Sequence, residues 1–318
     1  DHYSQLGSTV NLCLLDLKKA FDKMNHYGLY IKLMNRLVPN ALLCVLEYWF
    51  DSCMTCVRWG NDVSNFIALE CGVRQGGVFS PYLFAIFIDD IIKEVKKSEL
   101  GCKLKHENVG IFIYADDIIL LAPTVQSLQG MLQVCERELA WLDMSLNTKK
   151  SLCMRFGPRY NAKCHDICTA NGDCLSWVNS CRYLGVYLCA SSYFKCSFSY
   201  AKKSFYRSFN SIFGKIGRIA SEEVILHLVN MKCVPALLYG LDACPINISD
   251  KRSFDFVFTR VLMKLFKTSS IIIIDECYEM FNLKHMSQLI SERKCRFLGN
   301  FHKGNELCNL IVSNTSDV

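Results

Sequence analysis

The first regular pattern along the chain is an apolar run over residues 10–15 that ends on Asp16, which reads as a buried strand closed by a carboxylate. Helical spacing of apolar positions follows over 26–37 and 40–50, with Pro39 at the break. Residues 54–59 and 63–69 read as two strands around Gly60, Asn61 and Asp62, a hairpin turn signal. Residues 79–95 repeat apolar side chains at the helical period, with Pro81 in the first turn, where its missing N–H costs little. Residues 109–121 are rich in strand formers on both sides of Asp116 and Asp117, which predicts two strands meeting at an acidic turn. An amphipathic helix over 127–142 and a strand over 152–156 complete this half. Strand-like and helical runs alternate without a strict βαβ rhythm, so the pattern predicts an α+β sheet domain rather than a doubly wound one. From Tyr193 onward it turns mainly helical; Pro235 is expected to break one helical run, and 271–274 is too short to classify. The boundary is placed near residues 189–193, giving units 1–190 and 191–318.

A length of 318 residues leaves room for one large or two ordinary cores, and 51% apolar against 21% charged residues excludes a disordered chain. No apolar run reaches the roughly 18 residues of a spanning helix, since the best, over 110–123, is split by Asp116 and Asp117. The expectation is a soluble protein with no membrane partner. The chain opens on Asp1 with neither an initiator Met nor a basic-then-apolar leader, so it is expected to be a piece of something longer.

Nineteen Cys without regular spacing read as reduced thiols, and Cys13, Cys44, Cys135 and Cys153 fall in apolar segments where a thiol acts as a small hydrophobe. The densest group, Cys164, His165, Cys168, Cys174 and Cys181, matches no zinc spacing, and ordinary thiols are favoured there.

The net charge of +6 lies wholly in the C-terminal part: residues 1–190 hold 19 Lys and Arg against 19 Asp and Glu, and residues 191–318 hold 17 against 11. Within it Lys195, Lys202, Lys203, Arg207, Lys215 and Arg218 occur with no acid between them, interleaved with Phe198, Tyr200, Phe205, Tyr206, Phe209 and Phe213. On a helix many of the aromatics would face a core and many of the cations the other side, which suits either a phosphate backbone or a plain solvated face.

Asp116 and Asp117 stand among strand-forming hydrophobes, where an unpaired ion costs several kcal/mol. A tight exposed turn is one explanation; a bound cation is the other. Asp16 ends a second apolar strand, so carboxylates from two strands would converge in one sheet. Such hard-oxygen donors select Mg²⁺ or Mn²⁺ over zinc, and two ions about 4 Å apart would suit in-line phosphoryl displacement, the chemistry of nucleotidyl transfer.

At this point the residues resemble a known family. Leu15, Asp16, Leu17, Lys18, Lys19, Ala20, Phe21 and Asp22 resemble motif A of reverse transcriptases, in the form used by non-LTR (LINE-type) retrotransposons. Gly72 through Pro81, read Gly-Val-Arg-Gln-Gly-Gly-Val-Phe-Ser-Pro, resemble motif B, and Tyr114, Ala115, Asp116 and Asp117 resemble motif C. Asn147 to Ser151 is similar to motif D, and Arg182, Tyr183, Leu184, Gly185 and Val186 to motif E, all in the family's order. The resemblance covers about residues 10–190; Tyr239 and Gly240 after Pro235 look more loosely like the family's thumb.

The resemblance implies a polymerase palm with a mainly antiparallel sheet flanked by helices, then a mainly helical thumb-like region. It implies an RNA-directed DNA polymerase extending a primer 3′-hydroxyl with dNTPs by a two-metal mechanism, with an RNA template and a DNA primer as partners. Asp16, Asp116 and Asp117 would hold two Mg²⁺ or Mn²⁺ ions, and Lys150 would approach the leaving pyrophosphate. Phe21 would exclude a 2′-hydroxyl. Arg74, Gln75, Gly76 and Tyr114 would meet dNTP and template, and Tyr183, Leu184 and Gly185 the primer terminus. The family's fingers and an endonuclease module are not recognisable, nor is a zinc knuckle: Cys277, His285, Cys295, His302 and Cys308 have the wrong spacings. The alternative is a catalytically inactive or domesticated nucleic-acid-binding remnant of such an element. An intracellular location, nuclear or cytoplasmic, follows from the resemblance alone.

Overall fold

The computed structural model describes residues 2–217, 219–301, 303–304 and 308–309. The chain divides into two compact units, Tyr3–Asn179 and a second from Ser180 onward, ahead of the boundary placed from the pattern. Arg218 and His302 lie outside the described residues.

The first unit is built on strand β1 (Val10–Asp16), followed by helices α1 (His26–Asn35), α2 (Asn40–Asp51) and α3 (Ser80–Lys97). Strands β2 (Ile111–Tyr114) and β3 (Asp117–Ala122) form the acidic hairpin, and helix α4 (Val125–Trp141) and strand β4 (Leu152–Phe156) come next. Strands β5 (Ile167–Cys168) and β6 (Cys174–Trp177) complete a six-stranded sheet in the order β5-β6-β4-β1-β3-β2. All of its pairings are antiparallel except β4 with β6.

Period-two alternation decides which side chains reach the core. Cys13 and Leu15 of β1, Ile118, Leu120 and Ala122 of β3, and Cys153 of β4 are buried in one cluster. Leu83, Phe84, Phe87, Ile88, Ile91 and Val95 form the apolar stripe of α3, and Leu128, Met131, Leu132, Cys135 and Leu139 that of α4; both stripes join the same cluster. Each fully buried Phe or Ile contributes about 1.5–3 kcal/mol by leaving water. Asp16 and Asp117 have the opposite parity, so both stand on the face away from these helices.

The predicted hairpin after α2 is present but interrupted: Met54–Thr55 pairs with Ile67–Ala68 and Arg58–Trp59 with Asp62–Val63, around Gly60 at φ +62°. Ser80 does not cap α3. Its hydroxyl donates to the Arg74 carbonyl at 2.7 Å, tying the preceding loop to the helix start.

The second unit opens with a three-stranded antiparallel sheet, β7 (Ser180–Tyr183), β8 (Val186–Cys189) and β9 (Lys195–Ser197). Helix α5 (Ser199–Ile216) follows, then α6 (Glu222–Leu228), a π-helical turn Val229–Cys233 and α7 (Val234–Leu237). Pro235 does not break this run, because it falls in the first turn of α7, where no intrahelical N–H is needed. Residues 271–274 open a helix, α9 (Ile271–Met280), between α8 (Ile248–Leu265) and α10 (Met286–Phe301). Among the described residues no helix is long and apolar enough to cross a membrane.

Candidate active site

Asp16 is the last residue of β1 and Asp117 the first of β3, and the register sets them directly opposite each other. Asp116 lies in the two-residue turn between β2 and β3, where Ala115 adopts φ +53°, a left-handed value that non-glycine residues seldom take. Asp16 is tightly held. Its backbone N–H donates to Ser151 Oγ at 3.1 Å, and its carbonyl accepts from Asn147 N–H at 2.8 Å. Its carboxylate Oδ2 accepts from Asn147 Nδ2 at 2.9 Å and has Lys150 Nζ at 3.7 Å. Lys150 is mostly exposed, so this ion pair adds little stability and leaves the ammonium free to move.

Asp16, Asp116, Asn147 and Lys150, but not Asp117, line a cleft of about 530 Å³. Its lining also holds Lys18, Lys19, Lys23 and Asp22, with Phe21, Gln75, Leu17 and Ala20. Phe21 packs on Phe84 with ring centroids 4.6 Å apart, so its ring is backed by the core. Gln75 Nε2 reaches Asp22 Oδ1 at 3.5 Å. The loop carrying Gln75 is fastened by Gly72 N–H to the Met24 carbonyl at 2.7 Å and Val73 N–H to the Phe21 carbonyl at 2.8 Å. The buried His26, stacked on Phe50, bonds through Nε2 to the Gly72 carbonyl at 2.7 Å.

Burial pushes the Asp117 carboxyl up from its usual range, and the charges of Asp116 and Asp16 push the same way, against Lys150. The folded chain therefore keeps this proton to higher pH than the unfolded chain does. Its contribution to stability is unimpaired below the ordinary carboxylate pKa and turns unfavourable as pH rises through the raised value. Asp117→Asn is expected to raise the melting temperature at pH 7, with the gain vanishing below about pH 4. Thermal melts of both proteins across that pH range check it; an equal gain at all pH values would contradict it.

The donor set is all hard oxygen, which fits Mg²⁺ or Mn²⁺ and not zinc. Among the described residues, no three His, Cys, Asp or Glu side chains close into a ready-made metal cage. Mg²⁺ commonly takes one or two carboxylates and leaves its other positions to water and substrate phosphates.

Of the residues expected around the cleft, Arg74, Gly76 and Tyr114 are exposed and do not line it. Asn147 and the lysines at 18, 19 and 23 carried no assigned role. The Lys18–Lys19 pair beside Asp16 was the legible signal for the lysines, whereas nothing local marks Asn147 as a partner of Asp16.

Within the second unit, Tyr183 ends β7, and Leu184 at φ +42° and Gly185 at φ +85° form the β7–β8 turn. A Cβ on Gly185 would lie 2.8 Å from the Tyr239 ring. On α5, Phe205 and Phe209 are buried and Lys203, Arg207 and Lys215 are exposed, as is Lys195 in β9. Lys202 departs from that outward row. It donates to Ser253 Oγ at 2.7 Å and lies over the Phe254 ring, because its position on the helix shares the face of Phe205 and Phe209.

Residues 1–188 match the family model described as reverse transcriptase (RNA-dependent DNA polymerase). The RNA-directed DNA polymerase from mobile element jockey of Drosophila funebris is 27% identical over 249 residues, covering 72% of this chain and 25% of that protein. The retrovirus-related Pol polyprotein from type-1 retrotransposable element R2 of Nasonia vitripennis is 27% identical over 139 residues, covering 44% of this chain and 14% of that one. The chain thus spans a quarter or less of the length of these curated relatives. Among solved structures, telomerase from Candida albicans in complex with a TWJ fragment of telomeric RNA superposes with a TM-score of 0.50 at 11% identity, covering 88% of this chain and 51% of that one. This likeness concerns the fold alone.

Proposed function

The chain belongs to the reverse transcriptase family, and from that premise we propose that it is the palm and thumb-like portion of a non-LTR retrotransposon polymerase, extending a primer 3′-hydroxyl with dNTPs on an RNA template. The observation that carries the reading is the pairing of Asp16 with Asp117 on the open face of the sheet, with Asp116 lining the same cleft as Asp16. Asp16 and Asp116, with Asp117 beside them, would hold a pair of Mg²⁺ or Mn²⁺ ions. When bound, such ions supply Lewis-acid stabilisation of the attacking and leaving oxygens.

The chain's own residues do the rest. Asn147 and Ser151 fix the Asp16 carboxylate and backbone, so that it is oriented before substrate arrives. Lys18, Lys19 and Lys23 put ammonium groups in the cleft lining that would meet a triphosphate. Lys150 is positioned to offer a proton to the departing pyrophosphate as general acid. The Tyr183–Leu184–Gly185 turn contacts the primer, and Lys195, Lys203, Arg207 and Lys215 follow a nucleic-acid backbone, their charges releasing counterions on binding.

Phe21 selects the sugar. Backed by Phe84, its ring cannot retreat into the core, so it would oppose a 2′-hydroxyl on the incoming sugar. Phe21→Val is expected to lower the preference for dTTP over rUTP by about 10–100-fold in kcat/KM, the range that 1–3 kcal/mol of steric discrimination allows. Single-nucleotide incorporation kinetics read this ratio; an unchanged ratio removes the gate.

The test of the function is primer extension on poly(rA)/oligo(dT). Incorporation of dTMP that needs the RNA template, the primer and a divalent ion supports the reading. Binding of primer and template without any incorporation favours a nucleic-acid-binding remnant.

A further inference from the structure

A second polar pocket opens at the far end of the same sheet. It measures about 330 Å³ and is lined by Arg155, Tyr160, Asn161, Lys163, Trp177 and Asn179, among others. Arg155 is opposite Asn11 in the β1–β4 pairing, five positions along β1 from Asp16, or about 17 Å at 3.4 Å per residue. The pocket therefore shares no residue with the acidic cleft.

Arg155 is the unusual member. It is only 7% exposed, yet among the described residues its guanidinium meets no carboxylate. One N–H donates to the Arg159 carbonyl at 2.9 Å, and the group lies over the Trp177 ring at 5.1 Å. A guanidinium carries five N–H donors, and a buried cation without an anion is costly. Among the described residues no nitrogen of the Arg155 side chain is both sealed from solvent and without a partner, and Arg155 lines the pocket.

The local charge points the same way. Between Leu152 and Cys164 the chain carries Arg155, Arg159 and Lys163 and no acid. Lys163 and Tyr160 are exposed at the pocket, the one a cation and the other a flat ring. A planar guanidinium presents paired donors that match two oxygens of a phosphate, Lys163 supplies a second charge, and an exposed Tyr is a platform for a base.

The geometry points to a phosphate-binding subsite in which Arg155 and Lys163 hold a phosphodiester of a single-stranded nucleic acid, with the neighbouring base stacked on Tyr160. The phosphate chemistry stands on the pocket itself; its assignment to a nucleic-acid strand rests on the polymerase reading.

The test uses the whole chain in EDTA, so that no catalysis enters. A labelled twelve-nucleotide oligo(rU) carrying 5-iodouracil is followed by fluorescence anisotropy and by photocrosslinking, with orthophosphate as competitor. The wild type is expected to crosslink at Tyr160. Arg155→Gln and Lys163→Gln are each expected to lose that crosslink and to reduce the slope of log affinity against log salt by about 0.7, the value of one single-strand phosphate contact. Millimolar orthophosphate should suppress the crosslink in the wild type. Lys163 is exposed, so its replacement reports even where Arg155→Gln fails to fold. Unchanged slope and crosslink in Lys163→Gln overturn the proposal. Orthophosphate binding lost in the variants without any change in oligonucleotide binding overturns the strand assignment. A failure of primer extension with these binding results intact would count against the polymerase reading and not against this subsite.

Discussion

Asp16→Asn and Asp116→Asn are each expected to lower kcat for primer extension by at least about two to three orders of magnitude, with little change in fold. The amide keeps the shape of the carboxylate but removes the anionic oxygen that a hard cation requires. Metal stabilisation of the reacting oxygens is worth several kcal/mol, and each 1.36 kcal/mol is a factor of ten in rate. The Asp16 carboxylate accepts from Asn147 Nδ2, and an Asn there could keep that bond through its amide oxygen only by presenting an N–H in place of the second carboxylate oxygen. Asp117→Asn should be the mildest of the three, since Asp117 does not line the cleft and its charge is opposed by burial. Steady-state extension with saturating primer–template and dTTP measures this order. Full activity in Asp16→Asn or Asp116→Asn would remove the carboxylates from the mechanism.

Gly72→Ala is expected to cost about 3 kcal/mol and to lower the melting temperature of the first unit by about 6–12 °C. Gly72 has φ +86°, and a Cβ there would sit 2.7 Å from the Asp22 carbonyl oxygen and 2.9 Å from two other Asp22 backbone atoms. The obstruction is backbone, pinned by the Gly72–Met24 and Val73–Phe21 hydrogen bonds, so relief must come from breaking them. Gly76→Ala is the control: its φ is +83° but nothing lies within 4 Å of the added Cβ. It should lose only the left-handed backbone term, about 1 kcal/mol. Equal losses at the two positions would show that the contact with Asp22 does not matter.

Much of the strand and helix layout around the candidate site was legible in the sequence because it depends on local rules. Apolar runs ending in Asp16 and flanking Asp116 and Asp117 are strands in the fold, and the apolar period over 79–95 forms α3 almost residue for residue. What periodicity lacks is register. Only the pairing of β1 with β3 sets Asp16 opposite Asp117, and only the return of the chain after α4 brings Asn147 within 2.9 Å of Asp16.

The misreadings have the same origin. Lys202 belongs by charge with Lys203, but helical geometry groups it with Phe205, and its long apolar stem allows burial against Phe254 with the ammonium on Ser253. Pro235 looked like a breaker because a proline inside a helix removes a hydrogen bond. A π-helical turn before it restarts the ladder, so that the missing N–H falls where none is used. Arg155 carried no signal at all, since an arginine in a strand is ordinary until its burial is known.

The central claim is that Asp16 and Asp116 bind divalent metal in the cleft. Electron paramagnetic resonance of Mn²⁺ titrated into the chain, with primer–template and a non-hydrolysable dNTP bound, counts the ions directly. Two bound Mn²⁺ per wild-type chain are expected, falling by at least one in Asp16→Asn and in Asp116→Asn. The same number of ions, held equally tightly, in wild type and both variants would contradict it.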